Sequence, residues 1–298
     1  MQKKYWFNIL FYSSFVFLLV ALYKGDYFQI PKIKSYFLFS LSLFFLFLGF
    51  LLEAVAWKNL LRIKGYKVSS TSAIVASGLS VFTKYIPGKV MVVLSRSTYL
   101  NKTLDLPLKE IGVLSLFSQL LNLLTGCFIG LFCIQFWCLN PWFVVLFVAC
   151  FAGLLLICFS SFFSLLLSLV FKKILKRELN ISKVSFKEFF PISYWFILFW
   201  FSYSLGFWLL TASISENTLS LNDSLFYPSS MVAGVAALFA PGGIGVREGV
   251  LGYFLASINW SSSEIISLTV TTRIWFLIGE VLFFLSALTL LFRSKNRN

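Results

Sequence analysis

The sequence predicts an all-α integral membrane protein, and three observations lead to that fold class. Hydrophobic residues make up 59% of the 298 residues, against roughly 45 to 50% in soluble proteins. Charged residues make up 12%, about half the usual share of roughly 25%. Apolar stretches recur from end to end, many of them near the roughly 20 residues that a helix needs to cross a bilayer. A helix satisfies the hydrogen bonds of its own backbone, so such stretches are expected to be helical in lipid.

Six apolar stretches are long enough to be transmembrane helices. They cover residues 5–23, 36–57, 111–136, 142–170, 191–213 and 264–292. The first stretch is too long for the core of a signal peptide and has no cleavage pattern after it. We therefore expect it to remain in the mature protein as the first span.

The positive charges of the loops predict how these spans are oriented. Lys and Arg concentrate in residues 58–67, in residues 172–187 and at the C-terminus, and such loops stay in the cytoplasm. The uncharged residues 139–141 and the acidic segment 213–228 are expected outside. Both termini are then cytoplasmic, in a multi-pass protein of the plasma membrane. One loop does not follow this rule, because the assignment places Lys24, Lys32 and Lys34 outside.

Two further apolar regions, residues 73–100 and 229–257, are interrupted by proline and glycine. The breaks are Pro87-Gly88 and Pro241-Gly242, where proline removes a backbone donor and glycine permits unusual dihedral angles. The spans alternate correctly only if each region enters and leaves the membrane on the same side. We therefore predict two re-entrant helical hairpins; the alternative is eight complete, kinked spans.

The order of elements predicts one membrane domain built from an inverted repeat. Residues 1–137 and 138–298 each contain two spans, a hairpin and a span, in opposite orientations. Paired interruptions in two such halves indicate a transporter's binding site, because broken backbone is tolerated where protein or a polar cavity satisfies it.

Three cations surround the first break: Lys84, Lys89 and Arg96. Charged side chains at membrane depth usually face a cavity or a partner. Near an interface, however, they reach lipid headgroups and water. The sequence leaves both roles open, and we predict that at least one of the three binds substrate.

The second break is rich in glycine, with Gly242, Gly243 and Gly245, and leads into Arg247 and Glu248. Glycine allows close approach of backbone to backbone or ligand. A helix that starts near Gly245 would direct unpaired N–H groups toward an anion, and Arg247 would join that site. Glu248 is expected to neutralise Arg247, to cap the helix, or to carry a proton.

The last span contains Arg273 and Glu280, which lie seven residues apart and so on one helical face. Arg273 lies too deep for lipid and needs a partner inside the protein. That partner is either a carboxylate, Glu280 or Glu248, or the anion of a substrate. Glu280 is, like Glu248, a candidate for ion coupling.

Other polar residues of the spans have simpler explanations. Gln119 and Asn122 are one turn apart and typical of contacts between helices. Glu53 is expected near the cytoplasmic interface. The chain has no histidine, and its five cysteines lack metal-binding spacing, so we predict no metal and no other cofactor.

Two segments resemble the membrane region of bacterial lysylphosphatidylglycerol synthases, a flippase-like family. Residues 241–249, with the sequence PGGIGVREG, resemble its signature, and residues 84–89 with Arg96 resemble its first-half motif. In bifunctional relatives such a region moves an aminoacylated phospholipid, which a separate soluble domain makes. We expect no such domain here. Stand-alone relatives imply lipid or lipid-linked glycan cargo in cell-envelope and surface-polysaccharide assembly.

The chain departs from that family pattern at two places. Many relatives have Arg-x-Gly-Glu after the first break, where this chain has KVMV at residues 89–92. Many also have Glu-Arg-x-x-Asp, where this chain has the neutral SQLLN at residues 118–122. Five cations against Glu248 and Glu280 then leave a charge of +3 around the breaks, which favours an anionic headgroup.

These observations predict a translocase of a lipid or lipid-linked glycan precursor with an anionic headgroup, and not an enzyme. Its expected partners are membrane lipids and envelope or polysaccharide assembly enzymes, with no nucleic acid. The alternatives are a membrane-embedded glycosyl- or phospho-transferase and a non-catalytic scaffold. The sequence has no ATP-binding motif.

Overall fold

A computed structural model of the chain describes residues 33–85, 90–133, 141–159, 186–217, 219–237, 243 and 245–295. These residues form nine α-helices and no strand, which confirms the predicted all-α fold class. The helices are α1 (Tyr36–Ile63), α2 (Ser70–Ser80), α3 (Val90–Leu104), α4 (Leu108–Gly130), α5 (Pro141–Phe159), α6 (Phe186–Ile214), α7 (Phe226–Ala236), α8 (Val246–Ser257) and α9 (Ser262–Lys295). A 3-10 turn, Val81–Tyr85, follows α2, and another, Asp223–Leu225, precedes α7.

Four of these helices, α1, α4, α6 and α9, are long and apolar enough to cross a membrane. They correspond to four of the six predicted spans. Helix α5 covers the described part of the predicted span 142–170, and the predicted span 5–23 lies outside the described residues. The chain is an integral membrane protein, and the total of six spans stays a prediction.

Helices α1 and α6 form the centre of the bundle and run antiparallel. At one end the main-chain N–H of Ser35 donates to the carbonyl oxygen of Ser213 over 3.3 Å. At the other end Lys64 pairs with Glu188 at 3.0 Å. These two helices hold the same place in the two predicted halves, so their opposite directions are the geometry that an inverted repeat requires.

The two interrupted regions each fold back on themselves. Helix α2 packs against α3, and α7 packs against α8. Tyr66, before α2, donates a hydrogen bond to Glu110, after α3, while Asn217, before α7, donates to Glu264, after α8, over 2.6 Å. Each region therefore begins and ends at one end of the bundle, as a hairpin does. That these hairpins re-enter a membrane stays a prediction.

The hairpins open at opposite ends of the bundle and pack across the two halves. The first adjoins the end with Lys64, because Lys58 of α1 donates to Ser70 at the start of α2 over 2.9 Å. The second adjoins the end where Lys34 pairs with Glu216 at 2.9 Å. Helix α2 lies against α9, and α7 lies against α4, so each hairpin contacts the last span of the other half.

The ion pair between Lys34 and Glu216 bears on the one loop that disagreed with the charge rule. Its hydrogen bond to Lys34 lowers the pKa of the exposed Glu216 carboxyl below its usual value. Lys34 is thus neutralised at the end of the bundle where the sequence predicts the acidic external loop. This contact explains how a lysine is accommodated on the predicted outer side.

Candidate functional site

A cavity of about 190 Å³ lies between the described parts of the two hairpins. Four of the five cations that the sequence singled out line it: Lys84 from the turn after α2, Arg96 from α3, Arg247 from α8 and Arg273 from α9. The fifth, Lys89, and the break residues Pro87, Gly88, Pro241 and Gly242 lie outside the described residues. Helices from both halves thus bring charges that are distant in sequence to one place.

Lys84 forms an ion pair with Glu280 of α9. Glu280 is fully buried and also accepts a hydrogen bond from the hydroxyl of Tyr85 over 2.8 Å. The ammonium of Lys84 lies 4.4 Å from the centre of the Phe276 ring. Glu280 therefore joins the first hairpin to the last helix of the other half.

Glu248 contacts both the backbone at the second break and a side chain of α9. One of its oxygens accepts a hydrogen bond from the main-chain N–H of Gly245 over 2.8 Å, and the other pairs with Arg273. Of the expected partners of Arg273, the structure selects Glu248. Glu248 forms its ion pair with Arg273 and not with its neighbour Arg247, because successive residues of a helix point in different directions. The start of α8 is capped by this carboxylate.

Arg247 has a different environment from the other three cations. Its side chain is 3% exposed, donates a hydrogen bond to the hydroxyl of Tyr227 and lies 4.9 Å from the centre of the Phe276 ring. Within the described part of the chain no carboxylate pairs with it. Arg247 is thus a buried cation that forms no ion pair with a carboxylate there.

Arg96 is compensated by a residue that sequence reasoning placed elsewhere. It pairs with Glu53 of α1 at 2.7 Å, and Gln119 of α4 donates to the same Glu53 oxygen over 3.2 Å. Glu53, Gln119 and Asn122 all line the cavity, and the interfacial position of Glu53 stays a prediction. The available signal was a carboxylate within the apolar stretch 36–57, toward its end, where a lone charge needs a partner.

The charge of the described cavity is therefore smaller than the predicted +3. Four cations face three carboxylates, Glu53, Glu248 and Glu280, which leaves one positive charge among the described residues. The prediction had counted Lys89 and omitted Glu53. The remaining charge is that of Arg247.

Two glycines shape the backbone beside Arg247. Gly243 has a φ of +71°, and a Cβ atom there would lie 2.9 Å from the Cα atom of Gly234 in α7. Gly245 has a φ of +84° but faces open space. Both angles lie in the left-handed region that favours glycine, and at Gly243 the backbone also packs directly on a neighbouring helix. These contacts fix where α8 begins and thus where Arg247 lies.

The helices and the cavity define a class: integral membrane proteins with a charged, buried site between two helical hairpins. The family model described as "Lysylphosphatidylglycerol synthase TM region" matches residues 5–283. The chain belongs to this family, which is a membrane protein family of the lipid-synthase and flippase-like type. A search of curated proteins finds no match.

Proposed function

We propose that this protein is a translocase that moves a lipid, or a lipid-linked glycan precursor, with an anionic headgroup across the plasma membrane of a bacterium. The observation that carries the proposal is Arg247, buried in the cavity without a carboxylate partner among the described residues. Membership of the lysylphosphatidylglycerol synthase membrane-region family supports a lipid as the cargo.

A headgroup phosphate is the ligand that best matches this arginine. Removing a charge from water costs several kcal/mol, roughly, unless a partner compensates it. A guanidinium binds two phosphate oxygens at once, which strengthens the contact and fixes its geometry. Arg247 would therefore be the principal anion-binding residue, with Lys84, Lys89, Arg96 and Arg273 around it.

The paired carboxylates suit a role in coupling or gating. Glu280 connects the first hairpin to α9, and Glu248 connects the second hairpin to α9. Movement of either hairpin tip would have to break or exchange one of these ion pairs. Transport would then run downhill, on the membrane potential, or with an ion that binds at Glu248 or Glu280.

The proposed orientation places the end of the bundle with Lys64 in the cytoplasm, together with both termini. The first hairpin would then open to the cytoplasm and the second to the exterior. The proposed partners are membrane lipids and enzymes of envelope or surface-polysaccharide assembly.

The direct test is reconstitution in liposomes with three fluorescent lipids that share acyl chains and differ in headgroup charge. Quenching of the label in the outer leaflet measures movement between leaflets, and protein-free vesicles give the background. We expect protein-dependent movement of the anionic lipid at least about tenfold faster than that of the cationic lipid, because the site has a positive charge to compensate. Equal rates for the three lipids, or no movement above background, would overturn the proposal. An absence of movement favours the scaffold or transferase alternatives.

A further inference from the structure

The wall of the cavity also contains buried polar atoms that have no partner within the described residues. Apart from Nε of Arg247, they include Nε and Nη1 of Arg96, Oδ1 of Asn122 and Oγ of Ser77. All three residues line the cavity, and Arg96 and Ser77 are only 4% and 2% exposed. Buried polar groups are normally hydrogen-bonded, so three such residues around one space indicate a site for a polar ligand group.

This group of atoms carries no excess charge. Glu53 compensates Arg96 at 2.7 Å, and Gln119 donates to the same carboxylate. Asn122 and Ser77 are neutral. The region is therefore polar but balanced, in contrast to the surroundings of Arg247 in the same cavity.

We propose that Arg96, Asn122 and Ser77 form a second subsite that binds the hydroxyl groups of a polyol or sugar next to the phosphate. This inference rests on the proposed function and deepens it, because it names the chemistry of the headgroup. A glycerol headgroup and a sugar ring are two sources of the same neutral hydroxyl groups beside a phosphodiester.

A hydroxyl group is the ligand that satisfies both kinds of free atom. It accepts a hydrogen bond from the guanidinium N–H groups of Arg96 and donates one to Oδ1 of Asn122. A phosphate only accepts, so it would leave Asn122 unsatisfied and face the charge of Glu53. An ammonium only donates, so it cannot accept from Arg96, and its positive charge would be repelled by the guanidinium. An apolar group would leave all of these atoms without partners, at a cost for each.

The test measures lipid binding directly, so that it does not depend on transport. The purified full-length protein is titrated with phosphatidylglycerol, phosphatidylinositol and phosphatidylpropanol of identical acyl chains, and bound lipid is counted by native mass spectrometry. These lipids have the same headgroup charge, but phosphatidylpropanol has no free hydroxyl group. We expect it to bind about tenfold more weakly than one or both of the hydroxylated lipids. The stronger of those two identifies a glycerol or a ring polyol.

Two variants locate the subsite. Asn122→Leu removes the free oxygen but keeps the main-chain oxygen that accepts from Trp200 over 2.9 Å, so the contact between helices is retained. We expect this variant to lose the preference for hydroxylated lipids. Ser77→Ala is expected to reduce it. Ser118→Ala is the matched control, because Ser118 is a buried serine without a hydrogen-bond partner and does not line the cavity.

The outcomes separate this inference from the proposed function. If the three anionic lipids bind equally well, the subsite is wrong, since water then satisfies these atoms, and anion binding at Arg247 stands. If Ser118→Ala changes the preference as much as Ser77→Ala, the subsite is also wrong. If none of the three lipids binds better than a cationic lipid, the proposed function fails as well.

Discussion

The two hairpins present an arginine to the same cavity in opposite electrostatic states. Arg96 in α3 of the first hairpin is paired with Glu53. Arg247 in α8 of the second hairpin contacts the hydroxyl of Tyr227 and no carboxylate of the described residues. The two hairpins thus bring similar side chains to one cavity, and the residues on the helices packed against each hairpin determine whether its arginine is paired. A compensated arginine supplies directional hydrogen bonds, whereas an uncompensated one supplies a net charge.

The largest expected difference between the hairpins is the side of the membrane from which each can be labelled. Single cysteines would replace two exposed residues, Lys102 at the end of the first hairpin and Ser263 after the second, in a background without the five native cysteines. They should react with a membrane-impermeant reagent from opposite sides of right-side-out and inverted vesicles, because the hairpins open at opposite ends of the bundle. Labelling of both cysteines from the same side would contradict the prediction that the hairpins open on opposite sides of the membrane.

The next largest difference is the effect on stability of replacing each arginine. Arg96→Met leaves the partly buried Glu53 without its cation and should lower the free energy of unfolding by about 3 kcal/mol. Arg247→Met removes a buried charge that has no such partner, so stability should stay unchanged or rise. Thermal melting in detergent measures both, and adding Glu53→Gln to Arg96→Met should restore most of the loss. Equal destabilisation by the two single variants would contradict the distinction.

Transport should depend more on Arg247 than on Arg96, which is the reverse of the order expected for stability. Arg247→Met should slow the movement of an anionic lipid by about 10- to 100-fold, which corresponds to one charged hydrogen-bonding contact of about 1.5–3 kcal/mol. Arg247→Lys should recover part of the rate, since it keeps the charge but loses the two-pronged contact. The liposome assay for lipid movement provides the rates. A rate for Arg247→Met close to that of the wild type would remove Arg247 from the substrate site.

The backbone of the second hairpin offers a smaller test. Gly243→Ala should destabilise the protein by about 3 kcal/mol, because the residue adopts a positive φ and its new Cβ would press on Gly234. Gly245→Ala, strained but unhindered, should cost about 1 kcal/mol. Melting temperatures of the two variants give the comparison. If their order is reversed, close packing on α7 does not position the start of α8.

The smallest effect belongs to the surface pair at the end of the bundle where the second hairpin opens. The hydrogen bond from Lys34 lowers the pKa of Glu216, so its contribution is present above the usual pKa of a glutamate and is lost as pH falls through the lowered value. Lys34→Met should therefore have a slight effect at neutral pH and none once Glu216 is protonated. Melting curves at both pH values measure this difference. A large loss at neutral pH would assign the pair a structural role that its exposure does not suggest.

The sequence predicted the helices and the gathering of four cations, since both follow from composition and from proline and glycine breaks. It did not predict which carboxylate pairs with which cation. Glu53 and Arg96 are 43 residues apart and lie on different helices, so their contact depends on packing between helices. Local spacing suggested Glu248 for Arg247, but helix geometry turns these neighbours apart and gives Glu248 to Arg273.

One aromatic ring connects the tips of the two hairpins. Phe276 of α9 has the ammonium of Lys84 at 4.4 Å and the guanidinium of Arg247 at 4.9 Å, and each cation is attracted to the electrons of that single ring. Withdrawal of one cation changes the local field that the other experiences. The two cations thus share a side chain that carries no charge, and in the proposed function a headgroup that displaces one of them would change the energy of the other.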